Sequence, residues 1–243
     1  MNKLLVSTGA LMSVLFLGGC QSSQEKAITH PSNGGKTTIK AKPLAYSKQR
    51  QLVMQPLDSL GRAVDSHIQV SKSQLPTNER SSRLNYNPSG WHNYRIRDSN
   101  GKKYWAYNRG HLVGYQFCGL NDEPRNLITE TRTANAGASV GMDEDNPKSQ
   151  LYYEQRLREY INSHPSERLD YQVTPLYKHN ELMPRSIRLS FVAYDRKGTL
   201  KKIRLTNNHN YVSYKGKIGQ VIIPNIEKGL NINYKTGQAI VIE

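Results

Sequence analysis

Apolar positions are unevenly spread along this 243-residue chain. The first run, Leu4 to Leu17, is nearly continuous, follows Lys3, and closes on Leu17-Gly18-Gly19-Cys20. A run this short, with a positive start and small residues at its end, predicts a signal peptide over 1–20 rather than a membrane span. Residues 21–45 are polar and broken by Pro31-Ser32-Asn33-Gly34-Gly35. Too little there can be buried to support a fold, which predicts a flexible tether. Ordinary periodicity sets in near residue 46, and 46–243 is expected to form one domain.

Within that domain, imperfect alternation through Ala63, Ile68 and Val70 predicts a strand over 63–70. Residues 71–91, rich in Ser, Asn, Pro and Arg, read as a long loop ending in the turn Pro88-Ser89-Gly90-Trp91. Short strands at 94–97 and 102–105 flank Asp98-Ser99-Asn100-Gly101, a hairpin whose second strand is expected to deliver Asn108 to His111. Residues 126–133, with Leu127, Ile128 and β-branched threonines, predict a further strand. After a loop over 136–148, Pro147 and Ser149 suit a helix start, and Leu157, Tyr160 and Ile161 form an apolar stripe, so a helix is expected over 149–163. Beyond Pro165 the pattern is strand throughout: 171–177, 187–194, 219–223, and a closing pair at 230–234 and 238–242. This order predicts an α+β fold, a central, mainly antiparallel β-sheet with one important helix.

Charge narrows the class of partner. Lys and Arg number 34 against 19 Asp and Glu, a formal charge of +15. That balance implies a polyanion: nucleic acid, an anionic cell-wall polymer or a lipid surface. Charge alone does not choose among them. The two cysteines, Cys20 and Cys118, exclude a disulfide framework and a thiolate zinc site. Cys118, in Phe117-Cys118-Gly119-Leu120, reads as a small buried hydrophobe. Ending on Cys20, the signal segment resembles the lipobox of bacterial lipoproteins, which implies cleavage before that residue, a lipid anchor on it and a place outside the cytoplasm.

Candidate chemistry gathers between Tyr104 and Arg158. Hydrolysing a phosphodiester requires a deprotonated water, positive charge on the phosphate oxygens and something to neutralise the departing oxyanion. His111 can take a proton near neutral pH. Gly110 lets the backbone approach closely, and Arg109 can fork onto a phosphate. Magnesium accepts few protein ligands and keeps several waters, so the Asn135 amide oxygen with a substrate phosphate could hold it. Glu154 could steady the metal's waters or position Asn135, and Arg158, four residues on, shares its helix face. Each residue also has an ordinary reading: a core histidine, a turn asparagine, a helix-surface Glu–Arg pair. Their joint order raises the nuclease chemistry above those readings.

That order resembles the DNA/RNA non-specific endonucleases with a ββα-metal (His-Me) finger, among them secreted DNases and DNA-uptake nucleases of streptococci. Asn108-Arg109-Gly110-His111 is similar to the family's D-R-G-H signature. Pro124-Arg125-Asn126-Leu127, Thr133-Ala134-Asn135, and Tyr152-Tyr153-Glu154 with Arg158 match further. Flanking matches at Leu57 to Ala63, Pro88 to Trp91, Val173 to Tyr177, and Pro224-Asn225 to Gly237 extend the likeness over almost the whole domain. The resemblance implies magnesium-dependent hydrolysis of DNA and RNA without sequence preference, manganese able to substitute, and 5′-phosphate ends. It implies His111 as general base, Asn135 as direct metal ligand and Glu154 as the carboxylate ordering the metal's waters. Arg109 and Arg158 would contact phosphate and leaving group, with Asn126 a supporting polar residue. Asn108 stands where the longer signature has Asp; an amide still hydrogen-bonds and holds the loop but adds no negative charge beside the histidine. The alternative expectation is therefore a lipoprotein that captures DNA without cutting it. A binder of anionic glycan would account for the charge but leave His111, Asn135 and Glu154 unexplained.

Overall fold

The computed structural model describes residues 39–92, 94–97, 100–205 and 211–242. The signal segment with Cys20 and the tether up to residue 38 lie outside the described residues, as do Asp98 and Ser99 of the expected hairpin turn. In chain order the strands and helices are β1 (Gln51–Met54), β2 (Ser66–Ser71), β3 (Arg95–Arg97), β4 (Lys103–Trp105), β5 (Tyr107–His111), α1 (Tyr115–Cys118), β6 (Leu127–Thr131), α2 (Arg132–Ala136), α3 (Gln150–Ser163), β7 (Arg168–Leu176), β8 (Ser186–Tyr194), β9 (Leu200–Lys201), β10 (Ser213–Lys215), β11 (Ile218–Pro224), β12 (Leu230–Asn233) and β13 (Gln238–Val241).

A seven-stranded sheet runs β1-β2-β7-β8-β11-β10, with β9 also on β8, and every pairing in it is antiparallel. The α+β architecture read from the sequence is the one observed. Strict alternation along β7 builds the core: Leu169, Tyr171 and Val173 join Ile187, Leu189 and Phe191 of β8 on one face. There they meet Tyr152, Tyr153, Leu157 and Ile161 of α3. The helix starts where Ser149 caps it, its hydroxyl accepting the Tyr152 N–H at 3.2 Å. Pro175 sits within β7 because β2 pairs no further than Val173, so the proline falls where one neighbouring strand has ended.

The opposite face of the sheet is polar yet buried. His67, Gln69, Asp170, Gln172 and Thr174 are all inaccessible or nearly so. The chain from Ile39 onward explains this, because its backbone binds that face. The Leu44 N–H donates to Asp170, the Ser47 N–H to Gln69, Tyr194 to the Leu44 carbonyl, and Arg168 to the carbonyls of Lys48 and Gln49. Residues 39–45, expected as the end of the tether, are therefore part of the folded body. Polar side chains at alternate positions would otherwise be solvated, and here an irregular strap supplies their partners.

Three smaller ladders flank the sheet: β3–β4, β5–β6 and β12–β13. Two expectations are corrected there. The hairpin's second strand ends at Trp105, and Asn108 to His111 belong to the separate strand β5, which pairs with β6. The strand expected over 126–133 spans Leu127–Thr131 only. Asn126 closes the preceding 3-10 turn, Pro124–Asn126, and Asn135 lies on α2. Thr131 causes that switch: its side chain accepts the Ala134 N–H and caps a helix where a run of threonines reads as strand. The strand expected over 63–70 is likewise shifted to Ser66–Ser71.

Candidate active site

The β5–β6 ladder and α2 bring an amide pair together. In register, Asn108 faces Glu130, Arg109 faces Thr129 and His111 faces Leu127. α2 starts at once after β6, so Asn135 folds back beside both strands. The Asn108 side-chain N–H donates to Asn135 Oδ1 at 3.1 Å, and Asn135 Nδ2 donates to Glu130 Oε2 at 2.8 Å. Both asparagines are half-buried, whereas Glu130 is inaccessible. Glu227 anchors the start of α2 from elsewhere in the chain, accepting the N–H and hydroxyl of Thr133 at 2.9 Å each.

A second buried carboxylate packs beside the residues that follow His111. Glu154, on α3, accepts at Oε1 from the Gly114 N–H (2.9 Å), Gln150 Nε2 (3.0 Å) and the Tyr171 hydroxyl (3.2 Å). Gln150 Nε2 also reaches the carbonyls of His111 and Leu112, at 2.8 and 2.7 Å, tying Glu154 to the histidine's backbone. Glycines make room for both carboxylates. A Cβ on Gly110 would lie 2.0 Å from Glu130 Oε2, and one on Gly114 2.1 Å from Glu154 Oε2. The segment from residue 110 to 114 thus packs against both carboxylates. Burial pushes both up: Glu130 to about 8, with Glu154 adding to the rise and the Asn135 bond opposing it. Glu154 is raised also, against the pull of its hydrogen bonds.

His111 is 6% exposed, with Nε2 2.9 Å from the Asn121 carbonyl. A carbonyl partner requires the proton on Nε2, which leaves the lone pair on Nδ1. Burial, helped by the Arg80 charge, lowers its pKa to about 4, so the ring is neutral at pH 7. Arg109 is held by two bonds to Asn87 Oδ1 (3.1 and 2.7 Å) and lies over the Trp91 ring at 4.5 Å. Arg158 donates to the Gln116 carbonyl at 2.6 Å rather than to Glu154. The ordinary reading of those two as a helix-surface pair fails because Glu154 points inward.

Asn126 is inaccessible, and its amide brackets Val113 through both the N–H (3.0 Å) and the carbonyl (2.9 Å). It braces the segment after His111 from beneath. Cys118 is buried as expected, its thiol pushed up to about 11 by that burial. Glu130, Gln150 and Gly114 were missed at the level of sequence. Only Glu130 left a trace there: a charge inside the otherwise apolar and β-branched run Leu127-Ile128-Thr129-Glu130-Thr131. Among the described residues, no group of three or more His, Cys, Asp or Glu side chains is placed to hold a metal ion.

A family model described as DNA/RNA non-specific endonuclease matches residues 44–193. Among solved structures, an extracellular nuclease is 38% identical with a TM-score of 0.67, the match covering 84% of this chain and 100% of that one. An extracellular endonuclease is 39% identical with a TM-score of 0.70, covering 84% of this chain and 92% of its own. NucA from Streptococcus agalactiae, with a magnesium ion bound, shares the fold at 22% identity and a TM-score of 0.58, over 85% of this chain and 83% of NucA.

Proposed function

This chain belongs to the DNA/RNA non-specific endonuclease family, and we propose that it cuts DNA and RNA outside the cytoplasm with magnesium, His111 as base and 5′-phosphate ends. That it is a nuclease, a hydrolase of nucleic-acid phosphodiesters, follows from the family. The donor set fits a hard cation. Asn135 offers an amide oxygen, and Glu130 keeps one carboxyl oxygen, Oε1, buried without a hydrogen-bond partner. Asn135 would hold the ion through Oδ1 and Glu154 would order its waters. When bound, magnesium supplies positive charge against the phosphate oxygens and the departing oxyanion.

The chain's own residues do the rest. The neutral His111 ring takes the proton of the attacking water at Nδ1 while Nε2–H stays on the Asn121 carbonyl. Arg109, presented on Trp91, meets a phosphate oxygen, and Arg158, fixed on the Gln116 carbonyl, meets charge near the leaving group. A formal charge of +15 draws the polymer in through phosphate contacts, which carry no base information. The residues 1–20 direct export and Cys20 takes the lipid anchor. Palmitate labelling that persists in Cys20→Ser would refute the anchor.

The observation that carries this reading is the chain of bonds Asn108–Asn135–Glu130 at 3.1 and 2.8 Å, built on the same β5–β6 ladder that carries the neutral histidine. The test is incubation of purified protein with plasmid, single-stranded DNA and RNA, with magnesium, manganese or EDTA. Cutting of all three that stops in EDTA and in a folded His111→Ala is expected. A protein that shifts DNA in a gel yet never nicks it with either cation would be a capture lipoprotein, and the amide at Asn108 would be the place to look.

A further inference from the structure

We propose that Glu130 is a positioning residue: its carboxylate, buried across the β5–β6 ladder from Asn108, accepts the Asn135 side-chain N–H and so decides which way that amide faces. The inference rests on the reading above, in which Asn135 Oδ1 is the atom that meets the cation.

The argument starts from the symmetry of an amide. An asparagine side chain is nearly unchanged in shape by a half-turn that exchanges Oδ1 and Nδ2, so its partners alone set its direction. The first partner, Asn108 at 3.1 Å, is itself an amide that can offer either end. Two such groups facing one another are satisfied in both orientations. The second partner breaks the tie, because Glu130 Oε2 meets that amide as an acceptor. With Nδ2 held on Glu130 Oε2 at 2.8 Å, Oδ1 is turned the opposite way, toward Asn108 and the partly open side.

A bracing role alone explains Glu130 poorly. Its side chain is inaccessible, and Oε1 makes no hydrogen bond, so an expensive group is buried with half its acceptors unused. A glutamine or an aliphatic side chain would join β6 to α2 at lower cost. The ladder is shaped around it nonetheless: Gly110, opposite and one residue before His111, leaves the space that a Cβ would take at 2.0 Å from Oε2 and 2.7 Å from the Glu130 Cβ.

Manganese affinity measured by calorimetry on wild type, Glu130→Gln and Glu130→Met separates these roles. Gln can present either end of its amide and so accepts in only one of two orientations; its dissociation constant should stay within about threefold of wild type. Met keeps the volume without the acceptor and should weaken binding about tenfold, the scale of one buried hydrogen bond. In plasmid cleavage the Met loss should appear in the metal concentration needed for half-maximal rate, and saturating manganese should restore kcat. A bracing role would lower the melting temperature and kcat and leave metal affinity alone. Wild-type affinity in Glu130→Met, or equal weakening in both variants, overturns the proposal. Should Glu130→Met not fold, the Asn135 side-chain N–H pair in nitrogen-15 spectra of Asn108→Ala decides: protection from solvent exchange supports it, and rapid exchange overturns it. A wild type that binds no manganese removes the metal reading itself, and this inference with it; a binding wild type leaves only Glu130 in question.

Discussion

Adding one methyl group at Gly114 tests whether the segment after His111 is fitted around Glu154. The backbone there, φ −57° and ψ 147°, suits any residue, so alanine carries no conformational penalty. The new Cβ would instead lie 2.1 Å from Glu154 Oε2, 2.8 Å from Cδ and 2.9 Å from Oε1. Contact between such atoms requires about 3.5 Å, so the carboxylate must retreat by more than about 1 Å and give up its place against the Gly114 N–H, Gln150 and Tyr171. Overpacking of this kind costs about 1–3 kcal/mol, which lowers Tm by roughly 2–4 °C per kcal/mol in a domain this size. Displacing the group proposed to order the metal's waters by that distance should lower kcat by about a hundredfold. Urea unfolding of Gly114→Ala, Glu154→Ala and the double variant isolates the cause. With the carboxylate gone, the methyl should cost less than about 0.5 kcal/mol, a clear departure from additivity. A wild-type midpoint in Gly114→Ala, or strict additivity, would refute the fit.

Two further outcomes follow from the same geometry. His111 is lowered from an ordinary 6.5 to about 4, so as pH falls the unfolded chain takes a proton that the native ring refuses. Its contribution to stability is complete above pH 6.5 and is lost as pH falls toward 4, a swing on the order of 3 kcal/mol. Urea midpoints measured from pH 7.5 to 4.5 should fall less steeply in His111→Asn than in wild type; parallel curves would contradict a buried neutral ring. The β3–β4 hairpin presents Arg95, Arg97, Lys103 and Trp105 on its exposed face, with Trp105 44% exposed beneath the Arg95 guanidinium. Stacking on such a platform is worth about 1–3 kcal/mol per base. Arg95→Gln with Trp105→Ala should therefore raise KM for plasmid roughly tenfold and leave hydrolysis of bis(p-nitrophenyl) phosphate unchanged; equal losses on both substrates would place the effect in the chemistry instead.

The readings that succeeded from sequence were periodic, and those that failed depended on partners far along the chain. Alternation in β7 and β8 and the stripe on α3 identify the sheet and its helix without any tertiary knowledge. The same alternation says that Asp170, Gln172 and Thr174 share a polar face, and solvent is the natural inference. Only the strap from Ile39, more than a hundred residues earlier, makes that face interior. Glu154 illustrates the limit at the site. Four residues before Arg158 it looks like half of a surface pair, and no local signal reveals that Gly114, 40 residues away, donates to it. Asn135 was assigned the metal on family resemblance while its element was misjudged, because Thr131 belongs to β6 and caps α2 at once. Glu130 is the instructive miss. A strand that buries both faces should reject a carboxylate; where one persists opposite an amide that has replaced the signature's acid, the local rule is broken at the place where chemistry is expected, and that conflict is itself legible in sequence to a reader who asks what lies across the ladder.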